Sequence, residues 1–324
     1  MVIRTFIKAL AIVLVAWAVG MMLAANRAQA QEYSQYKVQC GQACLEGFAD
    51  LYLTALVERD PSLAPLAPDV RFTENGSQLA IGDALWATAT GIGANKLVFT
   101  DPASGGIAIY AAITENGMPS MFAARLKVEH REITEIETSV LRRNDGDAAM
   151  ATFAQVRPIW RQTVPAGQRV GRQALMDIAD SYFEGITQGR GDITPFDNQC
   201  VRFENGGQMT GRTDSEAREI QRMGCQAQFA TGILKFVTTI SDRRYLVVDE
   251  EQQVVMAIVM FNHKGNVDTV KMSNGETFTV SGPFRRPMSF LIFEAFKVVD
   301  GRIRQIEATV ANVPYRMHPG WPAP

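Results

Sequence analysis

In residues 45–56 the apolar positions Leu45, Phe48, Tyr52 and Leu56 recur at steps of three and four, the spacing of one helical face. Leu175, Ile178, Tyr182 and Ile186 repeat the pattern 130 residues later. Each stretch predicts an amphipathic helix, with Asp50 and Asp180 off the apolar stripe. Downstream of each, the pattern changes to β-branched and apolar runs: 107–113, 121–128 and 133–140 first, then 254–261, 290–299 and 303–310. A helix followed by strands, twice over, predicts an α+β fold.

The repetition extends to residue identity. Val70-Arg71-Phe72-Thr73-Glu74-Asn75-Gly76 returns as Val201-Arg202-Phe203-Glu204-Asn205-Gly206, one residue shorter, and Ile133-Thr134-Glu135-Ile136-Glu137 is answered by Ile303-Arg304-Gln305-Ile306-Glu307. Blocks in the same order indicate an internal duplication. The expected domains are 31–141 and 172–324. A linker, 142–171, begins near the Asp145-Gly146 turn and carries Pro158 and Pro165. The second copy is the longer one. Gly265, Gly275 and Gly282 punctuate polar alternation in 264–287, which predicts an extended hairpin or flap. The charged stretch 214–228 predicts a helix tethered through Cys225. In both Glu-Asn-Gly segments the Asn fits a left-handed turn residue and the Gly permits the turn; Asn75-Gly76-Ser77 also matches a glycosylation sequon.

Composition narrows the class. Of 324 residues 47% are hydrophobic and 20% charged, which excludes disorder for most of the chain. A net charge of −2 argues against nucleic acid as a partner. Arg4 and Lys8 precede an uncharged run, 9–25, and Ala28-Gln29-Ala30 has the small-x-small form of a cleavage site. A signal peptide cleaved after Ala30 is expected, giving a secreted or periplasmic chain that no longer engages a membrane. All four cysteines follow that site. Among three possible pairings, Cys40 with Cys44 and Cys200 with Cys225 is favoured. No CxxC and no histidine beside a cysteine supports a metal site, and no cofactor motif occurs.

The chain resembles an uncharacterised exported family built from two tandem SnoaL-like, that is nuclear transport factor 2-like, domains. The resemblance rests on 70–76 with Gly82 and Trp86, on 200–206, on 242–250, on Phe261-Asn262-His263, on Glu294-Ala295-Phe296-Lys297, and on the tail Pro314 to Trp321. It implies cone-shaped units of helices on a curved, mostly antiparallel sheet, each around an apolar pocket, and a pseudo-dimer within one chain. The wider superfamily holds cofactor-free lyases and isomerases beside noncatalytic binders, so the fold does not choose the reaction.

Acid and base chemistry in such a pocket needs a base and a donor. His263 ends the row Val255, Ala257, Val259, Phe261 and is the candidate base. Glu294 interrupts the apolar face of Phe290, Ile292, Phe296 and Val298; it is expected to orient His263, or else to form a buried salt bridge to Arg243 or Arg244. Arg244 or Tyr182 would stabilise an anion, and the flap would cover the mouth. The partner would be a small hydrophobic or aromatic molecule. The alternative is a noncatalytic binding or assembly module whose cones are closed by side chains. A connected cavity around His263 would favour the first.

Overall fold

The computed structural model describes residues 40–143 and 147–322; the expected signal peptide and the Asp145-Gly146 turn lie outside them. Helix α1 (Gln42–Glu58) buries Leu45, Phe48, Tyr52 and Leu56, and α2 (Arg172–Gln188) buries Leu175, Tyr182 and Ile186. Both helices begin after a glycine and end on a left-handed residue, Arg59 and Gly189.

Six strands follow α1: β1 (Leu66–Glu74), β2 (Ser77–Leu79), β3 (Ala89–Asp101), β4 (Gly106–Glu115), β5 (Met118–Glu129) and β6 (Glu132–Arg142). After α2 come β7 (Phe196–Glu204), β8 (Gly207–Gln208), β9 (Thr239–Asp249), β10 (Val254–His263), a small hairpin of β11 (Thr269–Lys271) and β12 (Thr277–Thr279), then β13 (Met288–Val299) and β14 (Arg302–Val313). The two large sheets have the same order, β2-β1-β6-β5-β4-β3 and β8-β7-β14-β13-β10-β9. In each, one parallel pair, β1 with β6 and β7 with β14, sits among antiparallel ladders.

Matched elements locate the extra length of the second half. The offset is 130 from α1 to α2 and from β1 to β7, 148 from β4 to β10, and 170 from β5 to β13. One insertion therefore lies between β8 and β9 and the other between β10 and β13. The first is not one helix but the short turns Glu219–Arg222, Cys225–Ala230 and Ile233–Phe236; the second contains the β11-β12 hairpin. The linker, too, is partly helical, at Ala148–Phe153 and Pro158–Arg161.

The ladders also correct the motif alignment. Phe72 stands opposite Ile136, whereas Arg202 stands opposite Ile306. Arg202 is thus the counterpart of Phe72, not of Arg71, and the constant offset of 130 runs through the Glu-Asn-Gly segments.

Each sheet packs one face on its own helix, giving two cores. The other two faces meet in a third, formed by Phe99, Tyr110 and Met121 against Met256, Ile258 and Phe293. The contacts across it are reciprocal. The Thr100 amide donates to Asp249 and the Val248 amide to Asp101, each at 3.1 Å. Such exchange of equivalent residues is the mark of two-fold packing. Gly76 and Gly206 hold left-handed φ values of 80° and 74°. A Cβ on Gly76 would collide with Met317, and one on Gly206 with the carbonyl of Ala149. The segment leaving each sheet therefore crosses to the turn of the other half.

Candidate functional site

His263 completes the α2-facing row of β10, as its alternation with Phe261 and Val259 requires. It is 2% exposed. Its ring stacks on Phe236 at 5.4 Å and 30°, lies 5.4 Å from Phe284, and meets the edge of Phe290 at 5.0 Å. Phe236 comes from the first insertion and Phe284 from the second, so both segments that lengthen this half converge on one imidazole. Neither ring nitrogen has a hydrogen-bond partner, and burial pushes the pKa down to about 4. At neutral pH the ring is uncharged, with one donor and one acceptor unspent. Phe236, Phe278, Phe284 and Phe290 are half-buried rather than sealed in. The equivalent residue of the first half, Glu115, is instead tied to Thr88, Ser120 and Arg142.

The structure separates His263 from Glu294. His263 pairs with Met288 and Glu294 with Ala257, six residues along the ladder, or about 20 Å at strand rise. Glu294 cannot orient this imidazole. Nor does it pair with Arg243 or Arg244. Its electrostatic neighbours are the Arg202 guanidinium and the Tyr182 phenol. Burial raises the Glu294 pKa to about 8, against the downward pull of both, and one carboxyl oxygen is buried without a partner. Arg202 in turn donates to Gln228 at 2.5 Å and to Glu204. Tyr182, Phe183 and Phe296 pack edge to face around this cluster, and Phe229 lies tilted against Tyr182. In the first half Phe72 and Ala124 stand in place of Arg202 and Glu294, and Tyr52 and Trp86 fill the space.

Arg243 and Arg244 point to opposite faces, as adjacent strand residues must. Arg243 bridges Asp180 and Glu184 on α2. Arg244 faces the other sheet, where it grips both oxygens of the buried Glu137 at 2.6 and 3.0 Å. It is a cross-sheet tie, so the expected role as an anion-stabilising donor beside His263 is corrected. Glu307, the counterpart of Glu137, is paired by Arg157 of the linker; burial raises its pKa to about 7. Asn75 and Asn205 spend both ends of their amides on the main chain of Val140 and Val310.

A cleft of about 350 Å³ lies elsewhere, between β3 and the linker, and none of His263, Glu294, Arg244 or Tyr182 lines it. Cys40 is bonded to Cys44 and Cys200 to Cys225, the second bond pinning the first insertion to β7. These disulfides fit an oxidising compartment. Among the described residues no helix is long and apolar enough to cross a membrane, and no three His, Cys, Asp or Glu side chains gather to hold a metal ion.

The site thus belongs to an α+β chain of two matched sheets, the second of which buries a histidine whose two ring nitrogens have no hydrogen-bond partner among the described residues. A family described as Domain of unknown function (DUF8021) matches residues 168–310, from just before α2 into β14. No curated protein matches the chain. The match covers the half that carries both insertions. Arg202 and Gln228 are the residues that sequence reasoning missed; keeping the offset at 130, without the one-residue gap, places Arg202 on the core face.

Proposed function

We propose that this is an exported small-molecule-binding protein of two SnoaL-like units joined as a pseudo-dimer, and that a hydrophobic or aromatic compound is held against His263 in the second unit. The cleft of about 350 Å³ does not reach His263. The convergence of both insertions on that ring therefore carries the reading, and the Phe236 and Phe284 rings would have to part to admit the compound. Half-buried phenylalanine faces supply apolar contact, and the free imidazole nitrogens supply one polar anchor each way, the composition of a small-molecule site. Native mass spectrometry of protein purified from its host tests it. A copurifying compound is expected, lost in His263→Phe, which keeps the aromatic packing and removes both nitrogens, with a fall in melting temperature no larger than stripping the compound from the parent produces. A large fall in melting temperature with no bound compound in either protein would leave His263 as a core residue and end the proposal.

Glu294 favours a second reading, a cofactor-free lyase or isomerase. A carboxylic acid protonated near neutrality, beside a phenol and a guanidinium, is suited to proton transfer. In that reading the compound sits at Glu294 rather than at His263, and its turnover would be abolished in Glu294→Gln. Unchanged turnover in that variant, or none in the parent, removes this reading and leaves a noncatalytic binder.

A further inference from the structure

The cleft beside β3 is walled by two runs of consecutive residues, Lys96 to Phe99 on the strand and Trp160 to Thr163 on the linker. β3 is an edge strand. The Thr100 amide points away from β4, toward Asp249, and the ladder from Lys96 to Asp101 is regular. Alternation then turns the main-chain groups of Val98 and Lys96 outward as well. No backbone hydrogen bond to another segment reaches either one among the described residues. Gln42 and Glu46 of α1 and the Glu251-Gln252 turn complete the lining. The buried Lys297 ammonium donates to the carbonyls of Gln162, at 2.7 Å, and of Gln252, at 2.6 Å, and so ties the linker wall to the turn. The slot is held open by the fold itself.

We propose that this slot binds a short extended peptide segment of another protein, which adds as a strand to the free edge of β3. Lys96 to Phe99 offer about 13 Å of edge, enough for three or four residues. Main-chain bonds give affinity in strand addition and side-chain pockets only tune it, so a generic β-prone sequence is an adequate probe. A second copy of this chain does not fit, because its own β3 is flanked by its own linker. The site is separate from His263 and stands whether or not the proposed function does.

Calorimetric titration with acetyl-Thr-Val-Ser-Val-Thr-amide tests it. Saturable binding with Kd on the order of 100 μM is expected. The fully N-methylated peptide, which cannot donate, should bind at least about tenfold more weakly. Val98→Pro should cause a similar loss; if that variant does not fold, the methylated peptide decides alone. His263→Ala should leave peptide binding unchanged. The proposal is overturned if the unmodified peptide shows no saturable binding up to about 5 mM, if the methylated peptide binds within about threefold of it, or if His263→Ala abolishes binding.

Discussion

Arg202 and Glu294 are two ionisable residues in an interior that is apolar in the other half, where Phe72 and Ala124 stand. Arg202 spends its charge on Glu204 and Gln228, and burial holds Glu294 as the neutral acid, so little net stability comes from attraction between the two. Glu294 also adds a pH dependence of known sign. Its folded pKa, about 8, lies above the ordinary value of 4.5. The stabilisation of the protonated acid is fully present below the unfolded value and is lost as pH rises through about 8. Glu294→Gln should therefore gain stability relative to the parent as pH climbs from 5 to 9, by on the order of 4 kcal/mol. Urea melts at several pH values check this, and parallel curves for the two proteins would show that Glu294 is not titrating in the fold. His263 runs the other way. Its stabilising neutral form is present above about 6.5 and is lost as pH falls through about 4.

At the scale of elements, both helices and the central strands were legible because their apolar spacing is strong: all four stripe positions of α1 and three of the four in α2 are buried. The hairpin of the second insertion was legible too, from glycines punctuating polar alternation. The single helix expected over 214–228 is instead a set of short turns, and no period in a polar segment fixes what either insertion packs on. The Phe236 and Phe284 contacts to His263 depend on tertiary closure alone. The Glu-Asn-Gly turns were read correctly as left-handed, but the need for glycine has a second cause that lies in another part of the chain. Gly206→Ala meets both the left-handed φ and the Ala149 carbonyl. Gly117, at φ 85° with nothing within 4 Å of a Cβ, meets only the first. Substitution at Gly117 should cost about 1 kcal/mol, and at Gly206 at least about 2 kcal/mol more. Denaturant midpoints measure both; equal losses would deny that the Ala149 segment presses on the turn.

For the whole molecule, the duplication was visible in residue identities, whereas the way the copies meet was not. Glu137 and Glu307 fall on a face whose covering depends on the partner sheet, and a single strand cannot tell a solvated glutamate from one gripped by an arginine 107 residues away. Because the middle core is shared by both sheets, the halves should unfold together. Calorimetry is expected to show one transition whose van't Hoff and calorimetric enthalpies agree. Two separated transitions would mean that the sheets fold as independent domains and that the central interface is weak.

The crossed segments have a consequence for how such a chain could arise. In a homodimer that exchanges its terminal arms, the end of one subunit already lies beside the start of its neighbour. Gene fusion then needs only to continue that arm into the neighbour's first helix, as the stretch through Phe153, Arg157 and Trp160 does before α2. Covalent union would have followed a route the polypeptide had already been taking, with no new surface to invent.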